Sequence, residues 1–249
     1  MSDNGRTFLS EVRYRLSLLV PTEAKWWLLR EIFPGIVDWA AKFFQGIAPA
    51  WKNDPRFGAL YDAIATRCLI DRKKAYLLFN CAEASRGVEG AVAEVGVYRG
   101  GTAKLILEAT RFEKPLYGFD TFAGLPETDA AADPYWKKGD LDDVRFEDVR
   151  SFLGQGDVRL FKGFFPDTAK DVPGAVRFAL VHVDADIYRT TLDACAFFYP
   201  RMAAGGLMVF DDYGFLSCPG VRRAIDEFFA GGPERPICVA SGQCIVVKQ

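Results

Sequence analysis

The sequence has almost no histidine, and its few cysteines are not arranged in pairs. Its 249 residues include a single histidine, His182. A zinc centre built from cysteine and histidine needs closely spaced ligands, and no such cluster is present. We interpret the cysteines as reduced, mostly buried thiols. They are scattered along the chain without a C-x-x-C pair: Cys68, Cys81, Cys195, Cys218, Cys238 and Cys244.

The chain also lacks an excess of charge of one sign and a long apolar run. Its formal net charge is −2, with 31 basic and 33 acidic residues. This balance gives no basic field that would attract nucleic acid or an anionic membrane. No stretch approaches the roughly 18 apolar residues of a membrane span, and the N-terminus has no apolar signal segment. We therefore expect a cytoplasmic protein without a nucleic-acid partner or integral membrane association.

Proline interrupts the first third of the chain. Apolar residues recur there at helical spacing, and Pro21, Pro34 and Pro49 break the pattern into short helices. Further helices are predicted over residues 57–86. The aromatic stripe of this region could touch a membrane surface or a partner subunit, although packing against its own domain is the commoner use. We predict a helical extension over residues 1–75, as a lid or oligomerisation surface, and a second domain over residues 76–249.

From residue 91 onward, short apolar runs alternate with helical segments. This texture is typical of a parallel sheet with crossover helices. The tail PICVASGQCIVVK predicts two further strands joined by a two-residue turn at Ser241-Gly242. The fold class is therefore α/β: a doubly wound, Rossmann-like, seven-stranded and mostly parallel sheet with an antiparallel C-terminal hairpin. Such a hairpin distinguishes class I methyltransferases from the fully parallel dinucleotide fold. The five parallel runs are AVAEV (91–95), LYGFD (116–120), VRLF (158–161), FALVHVD (178–184) and LMVFD (207–211).

One long segment, from about residue 126 to residue 143, shows no periodicity. Tyr135 and Trp136 stand at its centre. An irregular segment of this length inside a compact domain is more often a functional lid than a disordered linker. We predict that it covers a binding site.

A glycine-containing turn follows the first predicted strand. Gly96 allows a tight turn with a ligand close above it, and Gly100 and Gly101 bring the next helix against the sheet. A nicotinamide fingerprint would have glycine at position 98, where Tyr98 blocks the approach of a pyrophosphate. S-adenosylmethionine has no pyrophosphate, so the pattern favours this cofactor. Asp120 ends the second strand, where an acidic residue accepts hydrogen bonds from ribose hydroxyls, although capping a helix is the plainer alternative.

Four aspartates follow two of the apolar strands. Asp184 and Asp186 come after the fourth strand, and Asp211 and Asp212 after the fifth. Carboxyl ends of parallel strands open into one crevice, where several carboxylates repel one another unless a cation lies between them. Each aspartate could instead cap a helix. Oxygen ligands alone favour Mg²⁺, followed by Mn²⁺ or Ca²⁺, and three carboxylates leave room for two oxygens of a vicinal diol.

His182 lies two positions before the first of these aspartates, so the two share a face of the strand. It could support the metal site from beneath, but a satisfied core histidine is the commoner arrangement. We do not assign it as the catalytic base.

Five runs resemble the macrocin-type O-methyltransferase family, whose members methylate sugar hydroxyls on natural products. They are EVGVYRGGTA, YGFDTFAGLPETD, VRLFKGFFPDT, HVDADIYRTTLDACAFFYPRMAAGGLMVFDDYG and CPGVRRAIDEF. The resemblance covers about residues 60 to 230, and Val181 to Tyr213 is its most specific part. It implies a methyltransferase domain over residues 76–249 that uses S-adenosylmethionine and Mg²⁺ to methylate a hydroxyl of a small molecule, most readily a sugar. Because family members are commonly oligomeric, we also expect a homo-oligomer.

The resemblance implies that Glu94, Gly96 and Asp120 lie along the cofactor, that Asp184, Asp211 and Asp212 are the metal ligands, and that Asp186 and Tyr188 line the same pocket. We predict Asp184 and Asp186 as the catalytic residues. The full predicted cofactor-binding set is Glu94, Gly96, Tyr98, Gly100, Gly101, Thr102, Asp120, Thr121, Phe122 and Gly163.

The catalytic base is the point where this chain departs from the family. A member is thought to use a lid histidine, and residues 126–143 contain none. Either the metal alone lowers the pKa of the hydroxyl enough, or Asp186, Lys137 or Lys138 takes the proton, or the activity has changed. Alternatives to sugar methylation are methylation of a catechol or other phenol, a nicotinamide-dependent oxidoreductase, and a non-catalytic binding protein on the same fold.

Overall fold

The structure is a computed structural model that describes residues 50–154 and 156–249. The chain divides into two compact units, Met1–Asp54 and Pro55–Gln249. In the first unit the described part holds a 3₁₀ helix, Ala50–Asn53. The proline-separated helices predicted before it lie outside the described residues. The domain boundary predicted at residue 75 stays a prediction.

The second unit alternates helices with strands, as the sequence predicts. Its α-helices are α1 (Pro55–Ile64), α2 (Arg72–Ser85), α3 (Gly101–Ala109), α4 (Phe146–Leu153), α5 (Tyr188–Phe198) and α6 (Pro219–Phe229). Its strands are β1 (Ala91–Val95), β2 (Leu116–Asp120), β3 (Val158–Lys162), β4 (Phe178–Val183), β5 (Met202–Phe210), β6 (Ile237–Cys238) and β7 (Cys244–Val247). Two 3₁₀ helices, Asp167–Asp171 and Tyr199–Arg201, complete the regular structure of this unit's described residues.

The seven strands form one sheet in the order β3-β2-β1-β4-β5-β7-β6. Strands β1 to β5 are parallel, and β7 runs antiparallel to both β5 and β6. The predicted fold class is confirmed. The order reverses between β1 and β4, and ligands of doubly wound sheets bind in the crevice at such a switch point. A ligand-binding site is therefore expected at the carboxyl ends of these two strands.

The central strands are apolar because helices cover both faces of the sheet. All five residues of β1 and all six of β4 are buried. A parallel sheet covered on both sides requires this continuous apolar character. Glu94 and His182 are the polar exceptions within these two strands, and both have fully buried side chains. Two buried polar side chains on neighbouring strands need each other as partners.

Two details differ from the sequence prediction. Strand β5 begins at Met202, ahead of the predicted LMVFD run, because a register shift against β4 lets it continue past Gly205, whose φ is +79°. The predicted two-residue turn of the last hairpin is wrong. Val239 N–H donates to the carbonyl oxygen of Gln243, so three residues lie between this hydrogen-bonded pair. The last of them, Gly242, has a φ of +87°, which is typical of a three-residue hairpin loop.

Among the described residues, no helix combines the length and the apolar character that crossing a bilayer requires. All six cysteines fall within the described residues and are free thiols, as predicted.

Candidate active site

A cavity opens at the carboxyl ends of the central strands, beneath the irregular segment predicted as a lid. Ten of its lining residues are among those predicted from the sequence. Six come from the predicted cofactor set and four from the aspartates: Gly96, Tyr98, Thr102, Asp120, Thr121 and Gly163, and Asp184, Asp186, Asp211 and Asp212. The structure thus brings the glycine turn and the carboxylates to one crevice.

Gly96 is required because two strand ends touch there. Its φ is +91°, and a Cβ atom at this position would lie 1.8 Å from the carbonyl oxygen of Asp184. The close approach follows from the β1–β4 ladder, in which Asp184 N–H donates to the Val95 carbonyl oxygen at 2.9 Å. Any side chain at position 96 would push β1 away from the loop that carries Asp184. The glycine therefore couples the predicted cofactor turn to the carboxylates.

Asp120 fixes the loops on either side of it. Its carboxylate accepts hydrogen bonds from Tyr98 N–H at 2.8 Å and Phe122 N–H at 2.6 Å. Burial raises the pKa of Asp120, and these backbone donors act in the opposite direction. A carboxylate has about four acceptor sites, so Asp120 retains acceptor capacity toward the cavity.

Four residues predicted to bind the cofactor do not line the cavity: Glu94, Gly100, Gly101 and Phe122. Gly100 directly precedes α3 with a φ of +84°, and a Cβ atom on Gly101 would lie 2.7 Å from the carbonyl oxygen of Arg67. The close neighbours of this helix start are therefore α4, at Gly100, and the segment between α1 and α2, at Gly101, rather than the predicted sheet. That segment also lines the cavity through Arg67 and Cys68.

Three carboxylates from two strand ends meet at the cavity floor. Asp184, Asp211 and Asp212 each offer an oxygen within 4.8 Å of the others. Oδ2 of Asp212 is buried and has no hydrogen-bond partner among the described residues. Burial together with repulsion from Asp211 raises the pKa of both Asp184 and Asp212. This donor set, all oxygen with one acceptor unsatisfied, fits a hard divalent cation.

Asp186 stands beside this cluster, with a φ of +61° that turns its backbone into the left-handed region. Burial, then repulsion by Asp212 and Asp211, raises its pKa to about 8. The thiol of Cys218 lies 3.8 Å from Asp186 Oδ1, and Trp136 Nε1–H donates to the Cys218 sulfur at 3.3 Å. The predicted lid thus reaches the carboxylates through Trp136.

Lys74 and Gln243 contact the carboxylate cluster, and the sequence prediction missed both. Lys74 Nζ lies 2.5 Å from Asp211 Oδ2 and 3.1 Å from Asp212 Oδ1. Gln243 Nε2 donates to Asp211 Oδ1 at 2.8 Å. A signal for Lys74 exists, because helical spacing places it on the same face as Leu78 and Cys81, and all three are buried. Nothing local marks Gln243, which lies in the last hairpin.

His182 lies directly beneath the cluster. Its Nδ1 is 2.9 Å from Glu94 Oε1, and its Nε2 is 3.7 Å from Asp211 Oδ1. Burial alone would lower the pKa of His182, but Asp211 and Glu94 outweigh it and raise the pKa to about 9. His182 is therefore a buried core residue paired with Glu94, and it also lies against Asp211 of the carboxylate cluster. Both interpretations left open by the sequence apply.

The predicted lid has no helix or strand over residues 126–143. Its Asp133 is buried and accepts a hydrogen bond from Tyr188 N–H at 2.8 Å, at the start of α5. The expectation that Tyr188 lines the pocket is wrong, because its hydroxyl donates to Glu227 at 2.6 Å on an exposed surface. Of the candidate bases, Lys138 is exposed and bonded to Glu127, and neither it nor Lys137 lines the cavity.

Comparisons with known proteins identify similar sequences. The family model described as macrocin O-methyltransferase (TylF) matches residues 59–236. A 4′-O-methyltransferase of Streptomyces olivaceus, named for 8-demethyl-8-(2,3-dimethoxy-α-L-rhamnosyl)-tetracenomycin C, is 30% identical over 193 residues, which are 70% of this chain and 72% of that protein. The mycinamicin III 3″-O-methyltransferase of Micromonospora griseorubida is 31% identical over 190 residues, which are 69% and 73%.

A solved structure is similar as well. The O-methyltransferase NovP superposes with a TM-score of 0.66 and is 27% identical, over 74% of this chain and 82% of that chain. The family model's match, residues 59–236, spans the glycine turn, the lid and all four aspartates.

Proposed function

The chain belongs to the macrocin O-methyltransferase family, and we propose that this S-adenosylmethionine-dependent enzyme uses Mg²⁺ to methylate a sugar hydroxyl on a small natural product. One observation carries the metal part of the proposal: carboxylates from two neighbouring strand ends converge on the cavity that the glycine turn also lines. The sugar part draws on the relatives, two of which are named for glycosylated natural products.

S-adenosylmethionine supplies an electrophilic methyl group and a sulfonium that leaves. We assign direct contact with it to the six residues of the predicted set that line the cavity. Asp120 would accept hydrogen bonds from the ribose hydroxyls, as acidic residues at this position do in doubly wound folds. Phe122 would act through its N–H group, which orients Asp120. Gly100 and Gly101 would act by allowing α3 to begin close to Arg67.

Mg²⁺ supplies positive charge that makes a nearby hydroxyl easier to deprotonate. Asp184, Asp211 and Asp212 would hold it, since their oxygens are close together and Asp212 Oδ2 lacks a partner among the described residues. His182 and Glu94 would orient Asp211 from beneath. Such supporting partners commonly keep metal ligands in position.

Asp186 is the base that the geometry favours. Of the three groups considered, it alone lines the cavity, whereas Lys137 and Lys138 do not. Its carboxylate would accept the proton from the substrate hydroxyl, and the oxygen would then form the new bond to the methyl carbon as the bond from sulfur breaks. The surrounding cavity positions the hydroxyl along that line and limits the access of water.

Calorimetric titration tests the cofactor part, and we expect S-adenosylmethionine and S-adenosylhomocysteine to bind. A methyl-transfer assay tests the metal part. We expect the rate of methyl transfer to fall at least about 100-fold after EDTA treatment and to return with Mg²⁺. Asp184→Asn should cause a similar loss, whereas Asp142→Asn, on the exposed surface, should not. Full activity of a chelated and dialysed sample would rule out the metal.

An acceptor screen tests the substrate part. Glycosides with a vicinal sugar diol should be methylated faster than planar catechols of similar size. Faster transfer to catechols would establish the phenol alternative instead.

We further propose a homo-oligomer, as in the sequence prediction. The helices expected to form its surface precede residue 50 and lie outside the described residues. Light scattering of the purified protein decides this point, because a monomeric mass would overturn it. The cytoplasmic location stays a prediction.

A further inference from the structure

A lysine ammonium lies within the carboxylate cluster. Lys74 Nζ contacts Asp211 Oδ2 at 2.5 Å and Asp212 Oδ1 at 3.1 Å, and the Lys74 side chain is 9% exposed. These two aspartates are neighbours in the chain and belong to the proposed metal-binding set. One positive charge therefore already bridges the pair that the metal would use.

Several contacts hold this ammonium in place. Asp71 caps α2 by accepting hydrogen bonds from Lys73 N–H and Lys74 N–H, which fixes the first turn of the helix. The Phe215 ring lies over the ammonium, with 3.9 Å from Nζ to the ring centroid. Gln243 Nε2 donates both to the Lys74 carbonyl oxygen and to Asp211 Oδ1. The helix, the hairpin and the carboxylates are thus joined at this lysine.

The ammonium engages only one oxygen of each aspartate. Asp211 Oδ1 faces Gln243 and His182, and Asp212 Oδ2 has no hydrogen-bond partner among the described residues. Asp184 remains close to both aspartates without contacting the lysine within ion-pair distance. In formal charge, the four aspartates and Glu94 outnumber the one lysine and one histidine beneath the cavity.

We infer that Lys74 is an internal cation that positions Asp211 and Asp212 and competes with the divalent metal for them. The inference rests on the proposed function, because it names a residue that regulates metal binding at the same site. Without metal, the ammonium keeps the two carboxylates together. When the metal ion binds, the positive charge of the ammonium repels it and thereby weakens metal binding.

The test is a titration of the full chain with Mn²⁺. Electron paramagnetic resonance measures the concentration of Mn²⁺ that stays unbound. The variants are Lys74→Met, Lys74→Gln and Lys73→Met. The last is a matched control, since it removes the same charge from the same helix at an exposed position. We expect Lys74→Met to bind Mn²⁺ at least about tenfold more tightly than the natural chain, because one unit charge near a divalent ion is removed. Lys73→Met should bind unchanged.

A purely structural ion pair would behave differently. It would lower the unfolding temperature of Lys74→Met but leave Mn²⁺ affinity equal or weaker, and this result overturns the inference. Our inference expects a lower unfolding temperature without metal and a larger rise on adding Mn²⁺ than in the natural chain. Lys74→Gln keeps a hydrogen-bond donor without the charge, so it provides the same affinity measurement if the methionine variant does not fold.

The outcomes also separate this inference from the proposed function. If the lysine variants bind Mn²⁺ with the same affinity as the natural chain, and Asp184→Asn does not bind it, the metal site is supported and the proposed role of Lys74 is wrong. Binding by Lys74→Met but not by the natural chain supports the role of Lys74 and removes the natural metal requirement. No binding by either overturns both.

Discussion

At the scale of single residues, the charges buried beneath the cavity depend on one another. His182 would lose its charge on burial if it stood alone, and Glu94 would resist ionising for the same reason. Placed 2.9 Å apart on neighbouring strands, each stabilises the charged form of the other. Asp211 shares in this arrangement, and His182 and Lys74 keep its pKa below the ordinary value despite burial.

This arrangement predicts the titration of His182 in the metal-free protein. Its pKa is raised to about 9, from an ordinary value near 6.5, so the imidazolium should persist at neutral pH. The stabilisation from the charged histidine is then fully present below about pH 6.5 and is lost as the pH rises through about 9. Because the chain has one histidine, histidine-labelled protein gives an unambiguous imidazole NMR signal.

The control is the variant Glu94→Gln in chelator, which removes the carboxylate beside Nδ1. The imidazole of this variant should titrate at a lower pH than in the natural chain. A natural-chain titration at or below 6.5 would show that the carboxylates do not hold His182 in its charged form.

At the scale of elements, the segment over residues 126–143 is irregular but anchored. Asp133 accepts the Tyr188 N–H at the start of α5, where a free backbone donor would otherwise need water. The Asp133 side chain also packs against Gly220 on α6, where a Cβ atom would lie 2.1 Å from Asp133 Oδ1. Trp136 makes the second attachment, through the Cys218 thiol.

Removing the first attachment should loosen the segment. In Asp133→Ala the loss of a capping carboxylate costs about 1 kcal/mol, which corresponds to roughly fivefold more frequent local opening. Trypsin should then cleave after Lys137 and Lys138 several times faster than in the natural chain. Timed proteolysis followed by mass spectrometry measures this rate.

The matched control is Asp142→Ala, an exposed aspartate near the end of the same segment. Its cleavage should match the natural chain. Equal rates in both variants would mean that Asp133 does not hold the segment in place.

At the scale of the whole molecule, α1 and α2 belong to the compact unit that contains the cavity. That unit begins at Pro55, and the buried residues Phe57 and Ile64 of α1 lie within it. Lys74, on α2, contributes directly to the carboxylate cluster. The boundary predicted from sequence at residue 75 would cut through α2.

Two shortened chains test where the methyltransferase domain begins. A chain starting at residue 55 should unfold cooperatively and bind S-adenosylmethionine. A chain starting at residue 76 loses Phe57 and Ile64, each worth about 2 to 5 kcal/mol in a core, which together rival the stability of a typical domain. It should not fold, as circular dichroism and calorimetry would show. Cofactor binding by the shorter chain would support the boundary at residue 75.

The sequence alone determined the sheet and the place of the site. Short apolar runs such as AVAEV, separated by helical segments, are typical of covered parallel strands, and parallel strands of one sheet end on the same edge. For that reason Gly96, Asp120 and the four aspartates could be brought to one crevice without coordinates, and they line it.

Only the tertiary structure decided which groups meet those aspartates. Lys74 and Gln243 come from elements 137 and 32 residues away from Asp211, so no local pattern connects them. Burial and charge outside the strands depend on how helices and hairpins pack, which is a property of long-range contacts. The same reason explains why Tyr188, next to the aspartates in sequence, points to the surface instead.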